Sequence, residues 1–314
     1  MSGNPAIDKL FEVGDLVPGE IHRPDRFVPL PGGKGIHVAQ VATALGAAAM
    51  ATAILGGHAG RWLAEALDAQ GVPGRFAWAA GETRSCLTVA DRATGRLTEF
   101  YEDGIPARAQ DWDALTEVID ELLGQAPSWL AMAGSVPAAD DLPGYPDLIA
   151  RARRAGVRSA IDSRGRDLAR ALDSAPDLVK INADEASELL GRPITEVAHA
   201  RDAAHQIRRR AGGHGHAAVV TVGEQGMVLV DPGGATWHGT LALRGNYPVG
   251  SGDAFLAGLL TALTENPGTA WHRAAKLALG AAAANAEVPG AARLDPERAR
   301  ALADAAELTC LAAQ

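Results

Sequence analysis

Apolar residues along the chain recur in two kinds of stretch, which together predict alternating strands and helices. Short runs of about five apolar residues are typical of buried strands, and longer segments with apolar positions three or four apart are typical of helices. Strands are predicted at 51–55, 129–133, 157–161, 178–181, 218–222 and 226–230. Helices are predicted at 36–45, 62–70, 111–123, 147–155, 168–172, 184–190, 200–211, 253–263 and 271–286. This alternation favours an α/β fold with a doubly wound, mostly parallel sheet.

Two regions, 10–30 and 85–102, depart from the alternation. They contain short strands separated by turns, for example at 86–92 and 97–101. Such strands are too short to bury a core of their own. We therefore expect them to form a small β-sheet lid over the main part of a single domain that spans residues 1–314.

Composition and charge narrow the class of protein. Hydrophobic residues make up 47% and charged residues 21% of the chain, as in a soluble globular protein. The net charge of −9 argues against nucleic-acid binding, which needs a basic surface. No apolar stretch reaches the roughly 18 residues of a membrane span, and no leader opens the chain. Cys86 and Cys310 are too few for a disulfide framework, so we expect a cytoplasmic protein without a membrane partner.

The segment Gly250-Ser251-Gly252-Asp253 has the strongest chemical signature, because it leads into a predicted helix. Glycines at a helix start let successive backbone N–H groups point at an anion, and the helix dipole favours negative charge there. Asp253, in the first turn, can accept a proton from an attacking hydroxyl. The alternative is a plain turn in which Asp253 only begins the helix.

Three other segments carry weaker signals. The glycine-rich turn at 31–35 opens a helix, and its Lys34 can contact an anionic or hydroxylated substrate or remain solvated. The segment 180–185 has an Asn and a Glu three residues apart, which can hold Mg²⁺-bound water or phosphate, or simply cap the helix. The segment 221–226 joins two strands and is also consistent with an ordinary hairpin turn.

Together these segments resemble one family. Those at 4–8, 31–35, 82–84, 133–137, 180–185, 221–226 and 250–253 closely resemble, in this order, the ribokinase-like carbohydrate kinases. The resemblance covers residues 4 to about 295 and is nearest to the 1-phosphofructokinase and tagatose-6-phosphate kinase branch. It implies a three-layer α/β/α fold with a β-sheet lid. It also implies ATP-dependent phosphorylation of a sugar phosphate hydroxyl, with fructose-1-phosphate, fructose-6-phosphate or tagatose-6-phosphate as the type of acceptor.

The resemblance further implies roles for individual residues. Asp253 matches the general base, and Gly250, Ser251 and Gly252 match the anion hole. The residues that match the acceptor site are Asp8, Gly32, Gly33, Lys34, His37 and Arg84, with Arg84 on the substrate's phosphate. The residues that match the ATP site are Lys180, Asn182, Glu185, Thr221, Gly223, Gly226 and Asn285, with Glu185 holding Mg²⁺ through water. The family's lid often forms a dimer interface, so a homodimer through the lid is expected.

Two departures from the family pattern leave alternatives open. His37 stands where this branch usually has asparagine, and an imidazole is larger and can titrate, so the sugar is not specified. Only three residues precede Asn4, where the family has a full apolar strand, so the first strand is short or begins upstream. The open alternatives are a kinase of an unphosphorylated sugar or nucleoside and a sugar-phosphate-binding regulator without turnover. Arg84 and Lys34 favour a phosphorylated acceptor, and the intact segment at 250–253 argues against a silent regulator.

Overall fold

The computed structural model describes residues 1–137, 142–243 and 245–312. The strands in this part of the chain are β1 (Ala6–Val13), β2 (Arg26–Gly32), β3 (Ile54–Gly56), β4 (Ala77–Ala79), β5 (Arg84–Asp91), β6 (Arg96–Tyr101), β7 (Trp129–Ala133), β8 (Arg158–Asp162), β9 (Leu178–Asn182), β10 (Ala217–Thr221), β11 (Met227–Val230), β12 (Thr236–Thr240) and β13 (Glu307–Leu311). The helices are α1 (Lys34–Ala44), α2 (Gly57–Ala69), α3 (Ala109–Leu123), α4 (Tyr145–Arg154), α5 (Gly165–Leu172), α6 (Ala183–Leu190), α7 (Val197–Arg210), α8 (Ser251–Glu265), α9 (Trp271–Ala286) and α10 (Pro296–Ala305). None of these helices is long and apolar enough to cross a bilayer.

The main sheet has seven strands in the order β13-β12-β11-β10-β9-β8-β7. Strands β7 to β10 pair in parallel, and each is linked to the next by helices. Strands β10 to β13 pair antiparallel. The mostly parallel sheet expected from the sequence is therefore a mixed sheet, in which β11, β12 and β13 extend the parallel strands β7 to β10 through antiparallel pairing.

Helices cover both faces of this sheet, because alternate residues of each strand point to opposite sides. In β9, Leu178 packs in a core with α1, α8, α9 and α10. Val179 and Ile181 pack in a second core with α3, α4, α5, α6 and α7. The result is the three-layer α/β/α arrangement that the resemblance implied.

The lid is a separate four-stranded sheet in the order β2-β1-β5-β6. Strands β5 and β6 agree with the predicted segments 86–92 and 97–101 to within two residues. Strand β1 begins at Ala6, earlier than the predicted boundary at residue 10, because it pairs with both β2 and β5 from that residue onwards. Asp8 therefore lies on a lid strand.

The first residues of the chain lie between the two-stranded sheet of β3 and β4 and the main sheet. Ser2 forms single parallel bridges to Ala53 and Ala133. The amino group of Met1 is buried and donates to the carbonyl of Ala131 at 2.7 Å, and burial lowers its pKa to about 5. The apolar strand that the resemblance implied ahead of residue 4 is reduced here to a one-residue bridge.

Candidate active site

The lid and the main sheet enclose a cavity of about 370 Å³. Residues that follow β7 and β8 line it, and the carboxyl ends of parallel strands are where ligands bind in such sheets. Eight residues singled out in the sequence line the cavity: Asp8, Gly33, Lys34, His37, Arg84, Glu185, Gly250 and Asp253. The fold therefore brings together segments that are more than 200 positions apart in the chain.

The first turn of α8 presents Asp253 and two backbone amides to this region. Asp253 is 5% exposed. Gly250 precedes the helix with a φ of 82°, and a Cβ there would lie 2.8 Å from the Cβ of Ala291, so both backbone conformation and space require glycine. The N–H groups of Gly252 and Asp253 have no acceptor within the helix, because they belong to its first turn. They are available to bind an anion.

Asn285 braces the turn that leads into α8. Its side chain is fully buried, and its nitrogen donates to the carbonyl of Val249 at 2.9 Å and to Ser251 Oγ at 3.2 Å. The amide of Ser251 donates to the carbonyl of Pro248 at 3.1 Å. In this arrangement the Ser251 amide donates within the turn, and Asn285 supports that turn; its expected place near an adenine stays a prediction.

Lys180 lies directly beside Gly252. It has the same strand parity as Leu178, so its side chain points towards α8 and is only 2% exposed. Its Nζ lies 2.7 Å from the position that a Cβ on Gly252 would take. The Lys180 ammonium thus lies in space that a side chain at position 252 would fill, beside the N-terminus of α8. The positive charge of Lys180 and the dipole of the helix both attract a phosphoryl group.

Asp162, at the end of β8, joins the two lysines of the site. Its Oδ1 accepts from Lys34 Nζ at 2.9 Å, and its Oδ2 accepts from Lys180 Nζ at 2.5 Å. Burial raises the pKa of this carboxyl group, but the two ammonium groups outweigh burial and hold the pKa below its usual value. Burial lowers the pKa of Lys34, and the negative charges of Asp162, Glu185 and Asp253 outweigh that effect and raise it. Lys34 is therefore ion-paired within the site and not simply solvated.

His37, on α1, lies between two carboxylates. Its Nδ1 is 2.8 Å from Asp253 Oδ2, and its Nε2 is 3.0 Å from Asp8 Oδ2. Burial of the ring lowers its pKa, but the hydrogen bonds to Asp253 and Asp8 outweigh burial and raise the pKa to about 10. Both ring nitrogens are engaged by carboxylates, so the direct sugar contact expected for His37 has no free nitrogen in this arrangement.

Asp8 reaches the cavity from β1. A Cβ on Gly32 would lie 2.2 Å from the Asp8 Cγ, so the glycine makes room for the carboxylate. Gly33, with a φ of 105°, then turns the chain into α1. The Asp8 side chain is 28% exposed and can accept hydrogen bonds from sugar hydroxyls in addition to the one from His37.

Arg84 begins β5, which pairs with β1 in the lid sheet, and it also lines the cavity. Its Nη1 donates to the carbonyl of Glu102 at 3.1 Å, and its Nη2 donates to the carbonyl of Asn4 at 3.3 Å. Its buried Nε has no hydrogen-bond partner among the described residues. Two carbonyls hold this guanidinium in place, and it retains an N–H donor that makes no hydrogen bond. Such a group is suited to binding the phosphate of a substrate.

Asn182 and Glu185 form a capping box at the start of α6. The side chain of Asn182 accepts from the Glu185 amide at 2.8 Å, and Glu185 Oε2 accepts from the Asn182 amide at 2.9 Å. The capping interpretation of this segment is therefore confirmed. Glu185 Oε1 also accepts from Lys34 Nζ at 2.8 Å and lines the cavity.

A magnesium ion is implied by the resemblance, and the carboxylate chemistry of the site fits one that is held through water. Each oxygen of Glu185 retains a lone pair beyond the bonds that it makes, and Mg²⁺ usually keeps several waters. No cluster of three or more His, Cys, Asp or Glu side chains that could hold a metal directly occurs in the described part of the chain. Glu185 is thus suited to contact water that belongs to a metal–nucleotide complex.

The segment 221–226 connects β10 and β11, which confirms the hairpin interpretation. Thr221 ends β10, Gly223 begins a short 3₁₀ turn, and Gly226 has a φ of 87°. A Cβ on Gly226 would lie 2.0 Å from the carbonyl oxygen of Gly239 on β12, so sheet packing requires glycine at this position. These three residues, together with Lys180, Asn182 and Asn285, are not among those that line the cavity.

Sequence reasoning assigned no individual role to several polar residues of the site, among them four that contact its ligand space or its lysines. Asn4, Ser135 and Arg164 line the cavity, and Asp162 links its lysines. A signal was present: Ser135 and Asp162–Arg164 stand at or just after the ends of predicted strands, where parallel sheets bind ligands.

Comparison with known sequences gives consistent results. Residues 1–298 match the family described as pfkB family carbohydrate kinase. The chain is 33% identical over 264 residues to a 1-phosphofructokinase of Rhodobacter capsulatus, and the aligned region covers 84% of this chain and 83% of that protein. It is 30% identical over 303 residues to a 1-phosphofructokinase of Xanthomonas campestris, and the aligned region covers 95% of this chain and 93% of that protein.

Comparison with solved structures gives the same fold. Phosphofructokinase-2 from Escherichia coli, in complex with substrates and products, superposes with a TM-score of 0.85 and 26% identity, over 96% of this chain and 97% of that one. A protein described as a possible 1-phosphofructokinase from Thermotoga maritima superposes with a TM-score of 0.87 over 99% and 98% of the two chains. At 21% identity, the second likeness concerns the fold alone.

Proposed function

This chain belongs to the pfkB family of carbohydrate kinases and is an ATP-dependent carbohydrate kinase, and we propose that its acceptor is a sugar phosphate. The acceptor is of the fructose-1-phosphate, fructose-6-phosphate or tagatose-6-phosphate type. Relatives at 30–33% identity that are named 1-phosphofructokinase support this class.

One observation carries the proposal. Asp253, Asp8 and Arg84 line the same cavity, so a base, a carboxylate for sugar hydroxyls and a cation for an existing phosphate are within reach of one small molecule. A kinase of an unphosphorylated sugar would have less use for a half-buried arginine whose Nε has no partner among the described residues.

The chemistry follows from the groups at the first turn of α8. Asp253 accepts the proton of the acceptor hydroxyl as the hydroxyl oxygen attacks the terminal phosphorus of ATP, and the bond from that phosphorus to the bridging oxygen breaks to release ADP. Lys180 and the amides of Gly252 and Asp253 stabilise the negative charge on the transferring group. Bound to the nucleotide, Mg²⁺ supplies further neutralisation of phosphate charge. The lid excludes water, which would otherwise compete with the sugar as the acceptor.

The test is an ADP-release assay with a panel of acceptors. We expect turnover with at least one of the three sugar phosphates and little turnover with the corresponding free sugars or with nucleosides. Preferred turnover of a free sugar or a nucleoside would replace the proposed acceptor class. Binding of a sugar phosphate without ADP release would identify a regulator.

The role of Asp253 has its own variant. Asp253→Asn removes the proton acceptor with little change in shape, so kcat is expected to fall about 10²- to 10⁴-fold. ATP affinity, measured by equilibrium binding, should remain close to that of the wild type. Near-normal turnover of this variant would exclude Asp253 as the base.

The role of Arg84 is tested by comparing how its replacement changes the KM for the phosphorylated acceptor and the KM for ATP. Arg84→Ala should raise the KM for the phosphorylated acceptor by about tenfold or more and leave the KM for ATP nearly unchanged. Arg96→Ala, at the far end of β6, is the matched control and should change neither value. An equal effect of Arg84→Ala on both substrates would contradict the phosphate-binding role.

A further inference from the structure

The bridge formed by His37 is a feature that the proposed chemistry does not explain. Asp253 needs a free oxygen to act as a base, and Asp8 needs one to bind a sugar hydroxyl. The His37 ring nevertheless occupies one oxygen of Asp253 and one oxygen of Asp8. The His37 side chain is 8% exposed, and its ring joins α1 to α8 on one side and to β1 of the lid on the other. His37 therefore connects the lid carboxylate to the base across the sugar site.

The hydrogen bonds determine the charge of this ring. An ionised carboxylate only accepts hydrogen bonds, so each ring nitrogen that bonds to one must carry a proton. Two such bonds make His37 an imidazolium ion. Its two donors point in opposite directions from a rigid plane, and this fixes the positions of Asp8 and Asp253 relative to each other.

We propose that His37 is a positioning residue, a cationic bridge that holds Asp8 and Asp253 in one fixed geometry so that the hydroxyl bound by Asp8 is presented to the free oxygen of Asp253. The inference rests on the proposed function for its catalytic consequence. The side chain acts through the two carboxylates and does not contact the reacting atoms.

Several charged or titratable groups surround the bridge and could influence its ionisation. Those nearby are Lys34 on the same helix, Lys180 beside the first turn of α8, and Arg84, Cys86 and Tyr101 on the lid strands next to Asp8. The two lysines and the arginine are cations, which by themselves would oppose a further positive charge. The direct contacts with two carboxylates therefore supply the stabilisation of the imidazolium.

The bridge makes a prediction for the pH profile. Below a pH of about 10 the ring keeps both protons and both carboxylates remain held. As the pH rises through that value, one hydrogen bond is lost, so kcat/KM for the sugar phosphate falls. His37→Asn carries no titrating ring, so its profile lacks this ionisation, while the effects of lysine and tyrosine titration remain the same in both proteins.

The kinetic test uses His37→Asn and His37→Ala. Asparagine offers one neutral amide nitrogen in place of two charged donors, and alanine offers none. We expect kcat/KM for the sugar phosphate to fall about 10- to 100-fold, more for alanine than for asparagine, with the KM for ATP within about twofold of the wild type. His205→Asn, on a helix outside the site, is the control and should behave as the wild type. A loss below about threefold in both variants would overturn the positioning role.

A second measurement reads the charge directly and does not depend on turnover. Nitrogen NMR of histidine-labelled protein at about pH 8, where an ordinary histidine is neutral, should show one ring with protons on both nitrogens. That signal should disappear in His37→Asn and persist in His205→Asn. In Asp8→Asn the same ring should lose its proton at a lower pH, because one carboxylate partner is gone. A neutral His37 ring at that pH, or an unchanged titration in Asp8→Asn, would overturn the bridge.

The two measurements separate this inference from the proposed function. If no sugar phosphate is turned over, the proposed function fails, and the NMR result still decides whether the bridge exists. If turnover is found but the ring is neutral, the kinase proposal stands and the bridge is wrong.

Discussion

At the scale of single residues, the absence of a side chain at Gly252 shapes the site. Gly252 leaves open the space in which the Lys180 ammonium lies, 2.7 Å from the position of a Cβ. Lys180 is in turn held by Asp162, which also holds Lys34. One glycine therefore sets the distance between a buried cation and the amides that are expected to receive the transferring phosphoryl group.

Gly252→Ala tests this arrangement. The methyl group displaces the end of the Lys180 side chain, so kcat is expected to fall about 10- to 100-fold through lost charge stabilisation. The free energy of unfolding should not fall by more than about 1 kcal/mol, because alanine is the better helix former. Gly124→Ala, whose added Cβ would make ordinary contacts of 3.4 Å at the end of α3, is the control for kinetics. Unchanged kcat in Gly252→Ala would show that the position of Lys180 is not critical.

At the scale of elements, short helices begin at the strand ends and carry site residues in their first turns. Helix α6 has only eight residues, and its capping box satisfies two otherwise unpaired amides. The Glu185 of that box also contacts Lys34, so the start of the helix and the ion network of the site share one side chain.

Asn182→Ala separates the two roles. Loss of the cap should lower the free energy of unfolding by about 1 kcal/mol, as should Asp295→Ala at the start of α10, where the aspartate caps two amides outside the site. Only Asn182→Ala should also lower kcat/KM for ATP, by about tenfold, because it frees Glu185 to move. Denaturant unfolding and steady-state kinetics on both variants provide the comparison. Equal kinetic effects would contradict a site role for this segment.

At the scale of the whole molecule, the lid exposes large apolar side chains. Phe27 is 51% exposed and Phe100 58%, and they lie on its edge strands β2 and β6. Exposed apolar clusters of this kind mark interaction surfaces. We propose that a second copy of the chain covers them, as the resemblance implied for the lid.

Phe100→Asp should shift the protein from dimer to monomer, because it places a charge within an apolar contact. Light scattering or analytical ultracentrifugation measures the change. Met50→Asp replaces an exposed apolar residue outside the lid and should leave the mass unchanged. A wild-type protein that is monomeric at high concentration would rule out the lid dimer.

Some elements were predictable from the sequence because local pattern and final structure agree. Strand β7 was predicted at 129–133 and helix α9 at 271–286, and both have those bounds in the structure. Strands β12 and β13 and helix α10 were not predicted. The two strands mix polar and apolar residues at a sheet edge, and α10 has few apolar positions, so no local period identifies them.

By itself the sequence determined the alternation of strands and helices, the glycine turns that open α1 and α8, and the family, because these depend on residue order over short distances. Only the tertiary structure decided that Asp162 links two lysines and that His37 spans Asp8 and Asp253. Those contacts join residues from 18 to 216 positions apart. Their geometry depends on how α1, α8, the lid and the strand ends pack together, which no local pattern of the chain encodes.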